Sequence, residues 1–210
     1  MTIYSVKEMF LSVQGEGAQS GRVCVFVRFA GCNLWNGLER DRENAICQFC
    51  DTDFVGTNGK GGGRFATPQA LVRAARGFWP GGANPWVICT GGEPMLQLDA
   101  PLIAEFHQAG FKIAVETNGT LEVPASIDWI CVSPKTNANL RQTSGHELKL
   151  VYPQAQNRPE DFARLDFNVF SLQPLDDEQA PAHRKAAFDY VTKHPQWRLS
   201  LQTHKWLGVR

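Results

Sequence analysis

Three of the six cysteines in this 210-residue chain are spaced for metal chemistry. Cys32, Cys47 and Cys50 form the pattern Cys-x14-Cys-x2-Cys, and Cys32 follows Ala30-Gly31 at the end of an apolar run that starts at Val23. The three thiols therefore share one loop at the carboxyl end of an expected strand, where βα folds carry their chemistry. Three occupancies fit them. Structural zinc normally closes with four ligands, yet no second Cys-x2-Cys pair is present and no His precedes His107. An iron–sulfur cluster on three cysteines leaves one iron open for a substrate. An incidental grouping is the third reading. Cys24, Cys89 and Cys131 each stand alone inside an apolar run, as small core residues do, and add no fourth ligand.

Other residues of chemical interest also sit where runs end. Gly91-Gly92 follows the run that closes on Thr90, and so small a pair lets a ligand approach the backbone closely, or simply makes a turn before Pro94. Ser133-Pro134-Lys135 offers a hydroxyl and a cation past another run. Arg28 is a lone cation in an apolar strand, so it is either paired internally or aimed at a carboxylate, which its planar guanidinium suits.

The elements that must position these groups read as strands alternating with helices around a mostly parallel sheet. Seven strands are expected: Val23 to Ala30, Trp86 to Thr90, Lys112 to Thr117, Asp128 to Ser133, Leu148 to Tyr152, Phe167 to Gln173 and Trp197 to Thr203. Helices are expected from Thr67-Pro68 to about Trp79, from about Pro101 to Ala109 with Gly110 as its cap, and from near Pro181 to before Pro195. Links after Thr117 and Ser133 are too short for crossover helices, so the architecture expected is an α/β, incomplete TIM-like βα barrel, with about six parallel strands and three main helices in a single domain spanning 1–210. Glycines at 56, 59, 61, 62 and 63 predict a flexible surface loop.

Composition narrows the substrate. Apolar residues make up 43% and charged ones 20%, and 21 basic residues balance 21 acidic ones. A chain without a basic patch lacks the electrostatic footprint of a nucleic-acid or membrane-surface binder, so a small molecule is expected. No apolar run approaches a membrane span and no leader pattern opens the chain, which predicts a cytoplasmic protein.

The segments Phe29-Ala30-Gly31-Cys32-Asn33-Leu34-Trp35 and Cys47-Gln48-Phe49-Cys50-Asp51-Thr52 resemble the cluster loop of the radical S-adenosylmethionine (SAM) superfamily. Its usual first gap is three residues; here an insert, Asn36 to Ile46, extends the cluster-binding loop 32–50. With Gln14-Gly15-Glu16-Gly17, Cys89-Thr90-Gly91-Gly92-Glu93-Pro94, Glu116-Thr117-Asn118-Gly119, Ser133-Pro134-Lys135, Gln173-Pro174 and Gln202-Thr203-His204-Lys205, the pattern resembles the 7-carboxy-7-deazaguanine synthase (QueE) family over nearly the whole chain.

That resemblance implies a barrel of the radical SAM type with a 4Fe–4S cluster on Cys32, Cys47 and Cys50. It implies SAM held by Phe49, Cys50, Asp51, Gly92, Ser133, Pro134, Lys135 and Gln173, Pro174, Leu175 and Asp176, and Mg2+ at Thr52. The pterin substrate, 6-carboxy-5,6,7,8-tetrahydropterin, would meet Val13, Gln14, Gly15, Arg28, Thr90, His204 from the last strand, and the terminal carboxylate of Arg210. An electron donor such as a flavodoxin or ferredoxin and a homodimer are implied as well. A glycyl-radical activase would share the cluster but should have the short first gap; a zinc-stabilised binding module would have no catalysis.

Iron analysis separates these readings. Purified without oxygen, the protein is expected to be brown with about four irons per chain. Cys→Ala at 32, 47 or 50 should abolish the iron, whereas the same change at Cys24, Cys89 or Cys131 should leave it bound. One zinc per chain with no iron would reject the cluster.

Overall fold

The computed structural model describes residues 3–209. All seven expected strands form and run parallel: β2 (Val23–Phe29), β4 (Trp86–Gly91), β5 (Lys112–Thr117), β6 (Trp129–Val132), β7 (Ser144–Tyr152), β8 (Asp166–Pro174) and β9 (Trp197–Leu199). Two further strands, β1 (Tyr4–Val13) and β3 (Gly63–Phe65), add antiparallel at the β2 edge, giving the order β3-β1-β2-β4-β5-β6-β7-β8-β9. The sheet is open: its edge strands β3 and β9 are not neighbours. The last expected strand is shorter than its apolar pattern, because Thr203 already begins a helix.

Strand β1 has a physical reason for lacking clean alternation. A register shift between Val6 and Glu8 places Val6 opposite Phe29 but Glu8 opposite Arg28, so one extra residue breaks the period of two. The glycine-rich segment is pinned to this strand. Gly59 N donates to Lys7 O and Met9 N to Lys60 O, at 2.9 and 2.8 Å, and a Cβ on Gly62 would meet Lys7 O at 2.2 Å. Gly59 and Gly62 thus serve close backbone packing against β1, and Gly63 opens β3.

The main helices are α1 (Pro68–Arg76), α2 (Ala100–Gln108) and α4 (Ala180–Lys193), with short helices α3 (Pro159–Phe162) and α5 (Thr203–Leu207) between and after them. Thr67 caps α1 by accepting from Ala70 N, and Asp99 caps α2 by accepting from Leu102 N. Leu71, Val72 and Ala75 of α1 and Leu102, Ile103 and Phe106 of α2 pack on the outer face of the sheet, where Val27, Cys89, Val115, Leu148 and Leu150 point.

Alternate residues on the same strands point into the barrel, and this inner face changes character along its length. The floor is apolar, made by Cys24, Trp86, Ile88 and Ala114 with Phe26 and Trp129. Toward the carboxyl ends of the strands the inner positions become Arg28, Thr90, Glu116, Lys149 and Gln173. Among the described residues no helix is long and apolar enough to cross a membrane.

The start of β1 is tied to α2 by one carboxylate. Asp99 Oδ1 accepts from Leu102 N at 3.1 Å and from the hydroxyl of buried Tyr4 at 2.8 Å. Asp99→Ala removes the cap and leaves a buried hydroxyl unsatisfied, an expected cost of about 2–4 kcal/mol in urea unfolding. In a Tyr4→Phe background the same substitution should cost only about 1 kcal/mol, the cap alone; equal costs in both backgrounds would show that the hydroxyl bond contributes nothing.

Candidate active site

The cysteine loop is held from three sides. Ile46 N and Cys47 N both donate to Leu34 O, which closes the insert at its neck. Arg42 stacks over Trp35 and donates to Gln48 O and Cys50 O at 2.9 and 3.0 Å, fastening the insert to the Cys47–Cys50 turn. Asn33 bonds to Asn118 and Thr120 beyond β5. Gly92 lies against the loop so closely that a Cβ there would meet Gly31 O at 2.0 Å and Cys32 Cβ at 2.9 Å. The next residue, Glu93, is fully buried and accepts from Thr117 Oγ1, Asn118 N and Met95 N. Burial pushes its carboxyl up, and these three donors oppose that rise.

Cys47 and Cys50 face a cavity of about 200 Å³, while Cys32 lines an open cleft with Trp35 and Asp41 and remains near enough to the other two thiols to interact with them electrostatically. Burial raises the Cys32 and Cys47 thiols, and Lys135 opposes the rise at Cys47. Among the described residues no three His, Cys, Asp or Glu side chains converge on a single ion. A cluster asks something different, because each thiolate binds a separate iron. Three part-buried thiols on one clamped loop, with a glycine where a side chain would obstruct Cys32, fit that group.

The remaining expected residues gather around two cavities that share a seam. Phe49, Asp51, Gly92, Ser133, Lys135 and the stretch Gln173 to Asp176 line the first with Cys47 and Cys50; Pro134 does not. Val13, Gln14, Gly15, Arg28 and His204 line the second, of about 300 Å³. Thr52 and Thr90 line both, as do Glu16, Asp51, Glu116 and Gln202. Lys135 Nζ donates to Ser133 O and Oγ and stands 5.9 Å from the Phe49 ring. Arg28 turns out to be both paired and cavity-lining: its Nε donates to Glu8 at 3.0 Å. Arg210 lies outside the described residues.

His204 belongs to α5 and not to a strand. Thr203 donates to Gly15 O through both N and Oγ1, which lays α5 across the second cavity, and a Cβ on Gly15 would strike the His204 ring at 2.2 Å. Lys205 then bridges Asp51 of the cysteine loop and Asp176 after β8, at 3.1 and 2.6 Å.

Beneath the seam lies a charged layer that sequence reasoning left without a role. Lys149 Nζ reaches Glu16 at 2.7 Å and Glu116 at 2.9 Å. Gln202 donates to the other oxygen of Glu16, and Gln14 to the other oxygen of Glu116. Burial alone would raise the Glu16 carboxyl, but the charge and hydrogen bond of Lys149 and the bond from Gln202 outweigh it and hold Glu16 at about 2. The two carboxylates likewise overcome burial at Lys149 and lift its ammonium above its ordinary range. Glu116, inside the expected strand Lys112 to Thr117, is the inward-facing penultimate residue of β5. The available signal was Glu147-Leu148-Lys149-Leu150, where charges alternate with core leucines in one strand.

No protein-family model matches the chain. It is 59% identical over 207 residues to the 7-carboxy-7-deazaguanine synthase of Caulobacter vibrioides, covering 98% of this chain and 99% of that one. It is 58% identical over 207 residues to the enzyme of that name from Burkholderia multivorans, with the same coverage. Its fold is similar to the crystal structure of QueE from Escherichia coli, with a TM-score of 0.73 over 95% of this chain and 94% of that one; at 24% identity this likeness bears on the fold alone.

The depressed Glu16 carboxyl makes stability depend on pH. Its folded-state value of about 2 lies below the ordinary 4.5, so its contribution is complete above about pH 4.5 and is lost as pH falls toward 2. Glu16→Gln is expected to cost about 2–3 kcal/mol at pH 7 and progressively less below pH 4.5. Urea unfolding of both proteins between neutral pH and about pH 3 measures the gap; a gap that stays constant over that range would contradict the ion pair.

Proposed function

The chain belongs to the 7-carboxy-7-deazaguanine synthase family, and from that premise we propose that it converts 6-carboxy-5,6,7,8-tetrahydropterin to 7-carboxy-7-deazaguanine with release of ammonia, a lyase reaction in queuosine biosynthesis. The observation that supports this most is the pair of contiguous cavities, one bordered by Cys47 and Cys50 and the other by Arg28. A radical generated beside the thiols would reach a substrate in the second cavity without crossing solvent. The unit is proposed as one radical SAM core, 1–210, with the extended loop 32–50 as its cluster-binding segment.

Cys32, Cys47 and Cys50 would hold a 4Fe–4S cluster, which together with SAM would supply the one-electron radical chemistry. The residues of this chain bind and orient. Lys135 offers a cation to the SAM carboxylate, with Ser133 and Pro134 supporting that stretch of chain. Phe49, Asp51, Gly92 and Gln173 to Asp176 enclose the rest of SAM. Arg28, fixed through Nε by Glu8, presents its guanidinium to the pterin carboxylate. Glu16 and Glu116 accept from ring N–H donors, and Val13, Gln14, Gly15, Thr90 and His204 complete the enclosure, with the Arg210 carboxylate as a further contact. The apolar floor below excludes water from the carbon that bears the carboxylate, where hydrogen is abstracted. Ring contraction then expels one nitrogen as ammonia, and substrate and product differ by NH3 alone, so no net oxidant is consumed.

Thr52 lines both cavities, so its hydroxyl would be one ligand to a Mg2+ that takes most of its coordination from substrate and water. A flavodoxin or ferredoxin as electron donor, a homodimer and a cytoplasmic location complete the reading.

Reconstituted protein incubated without oxygen with reductant, SAM, Mg2+ and the tetrahydropterin should form the deazaguanine acid. Cleavage of SAM without that product would keep the radical chemistry and reject the substrate. Thr52→Ala should reduce the stimulation of turnover by Mg2+, and an unchanged Mg2+ response would remove the metal from that hydroxyl.

A further inference from the structure

Lys149 projects from the middle of β7 into the barrel and is 5% exposed. It draws together carboxylates from two distant parts of the chain, Glu16 from the β1–β2 connection and Glu116 from β5. Buried charges are costly to assemble, and an apolar replacement of similar volume is often no less stable. Packing does not require them at this level, since the floor just beneath is filled by Cys24, Ile88 and Ala114. The charged layer therefore calls for another reason.

Its geometry supplies one. An ionised carboxylate has about four lone-pair sites. Glu16 uses one oxygen for Lys149 and the other for Gln202; Glu116 uses one for Lys149 and the other for Gln14. Both keep acceptor capacity, and both line both cavities. Neither can swing away, because each is anchored through both oxygens. Two like charges so placed would repel, and one would take up a proton, if the ammonium between them were absent.

Resting on the function proposed above, we propose that Lys149 is a positioning residue for the pterin: it pins Glu16 and Glu116 as a rigid, doubly charged acceptor pair on the seam. That pair receives the N–H donors of the 2-amino-4-oxopyrimidine edge while Arg28 takes the carboxylate. Lys149 acts only through the two carboxylates. The titratable groups facing it are Glu16, Glu116, Glu147 from its own strand, Cys131 from β6 and, farther off, Lys135.

The test is binding, measured by anaerobic calorimetry on cluster-loaded protein with the tetrahydropterin and, separately, with SAM. Lys149→Met is expected to weaken pterin binding about 10-fold or more, with SAM affinity and iron content within about 2-fold of the parent. Its pterin affinity should also acquire a fall toward acid between about pH 8 and pH 5, absent in the parent, as one of the unpaired carboxylates protonates. Lys149→Arg keeps the charge, so its pH profile should match the parent while pterin affinity drops by an intermediate factor. If Lys149→Met does not fold, Lys149→Arg decides: parent-like pterin affinity, or equal loss of pterin and SAM, overturns the proposal. The same two outcomes in a folded Lys149→Met protein overturn it too. A parent that neither binds the pterin nor forms product overturns the function itself, whereas an active parent matched by its Lys149 variants overturns only this role.

Discussion

The open sheet must be closed around its interior without strand pairing, and a single buried ammonium is the centre of that closure. Lys149 on β7 meets Glu16, which hangs from the β1–β2 connection at the far side of the barrel. Around this contact the same connection is stitched across the gap: Ala18 N donates to Glu147, which also accepts from Ser171 Oγ, and Gly17 N donates to Ser200, which donates in turn to Gln173. Gly17 is obligatory there. Its φ is +62°, and a Cβ would meet the Glu147 carboxylate at 2.5 Å. Side chains thus do what ladder hydrogen bonds do in a closed barrel.

Local charge also explains how a chain of zero net charge can bind anionic ligands. No global field steers them, so attraction has to come from individual cations held in place. Arg28 is held by Glu8 and Lys135 by Ser133, and both sit above a floor that excludes water. Pairing lowers the reach of each cation but fixes its direction, and in a site of low effective dielectric direction matters more than reach.

Legibility in the sequence followed the regularity of each feature. The seven parallel strands announced themselves because both their faces are covered near the floor, and α1 and α2 because Thr67-Pro68 and Pro101 to Gly110 carry their own start and stop signals. Strand β1 hid behind its register shift at Val6 and Glu8. Gly59 and Gly62 looked like slack because the close approach to Lys7 O that requires them is a long-range fact. In the same way His204 read as a strand residue, since nothing local reveals that Thr203 bonds to Gly15. The cysteine loop, Arg28 and Lys135 were visible as chemistry, whereas Glu16, Glu116 and Lys149 become a unit only when β5, β7 and the β1–β2 connection are brought together.

The contacts around the cavities also differ in strength by depth. At the rim, Lys205 joins Asp51 and Asp176 while 37% exposed, and pairs so hydrated contribute about 0–1 kcal/mol each. Beneath it, the ammonium of Lys149 is buried and its two carboxylate partners are half-buried, so breaking those pairs costs more than breaking the rim pairs. Between these levels α5 rests on Gly15 through the two Thr203 bonds, with no buried residue of its own. A site graded in this way keeps its acceptors rigid where a ligand's orientation is set and weakly tied where the ligand must enter. The same five-residue helix that carries His204 is therefore the least costly part of the enclosure to displace.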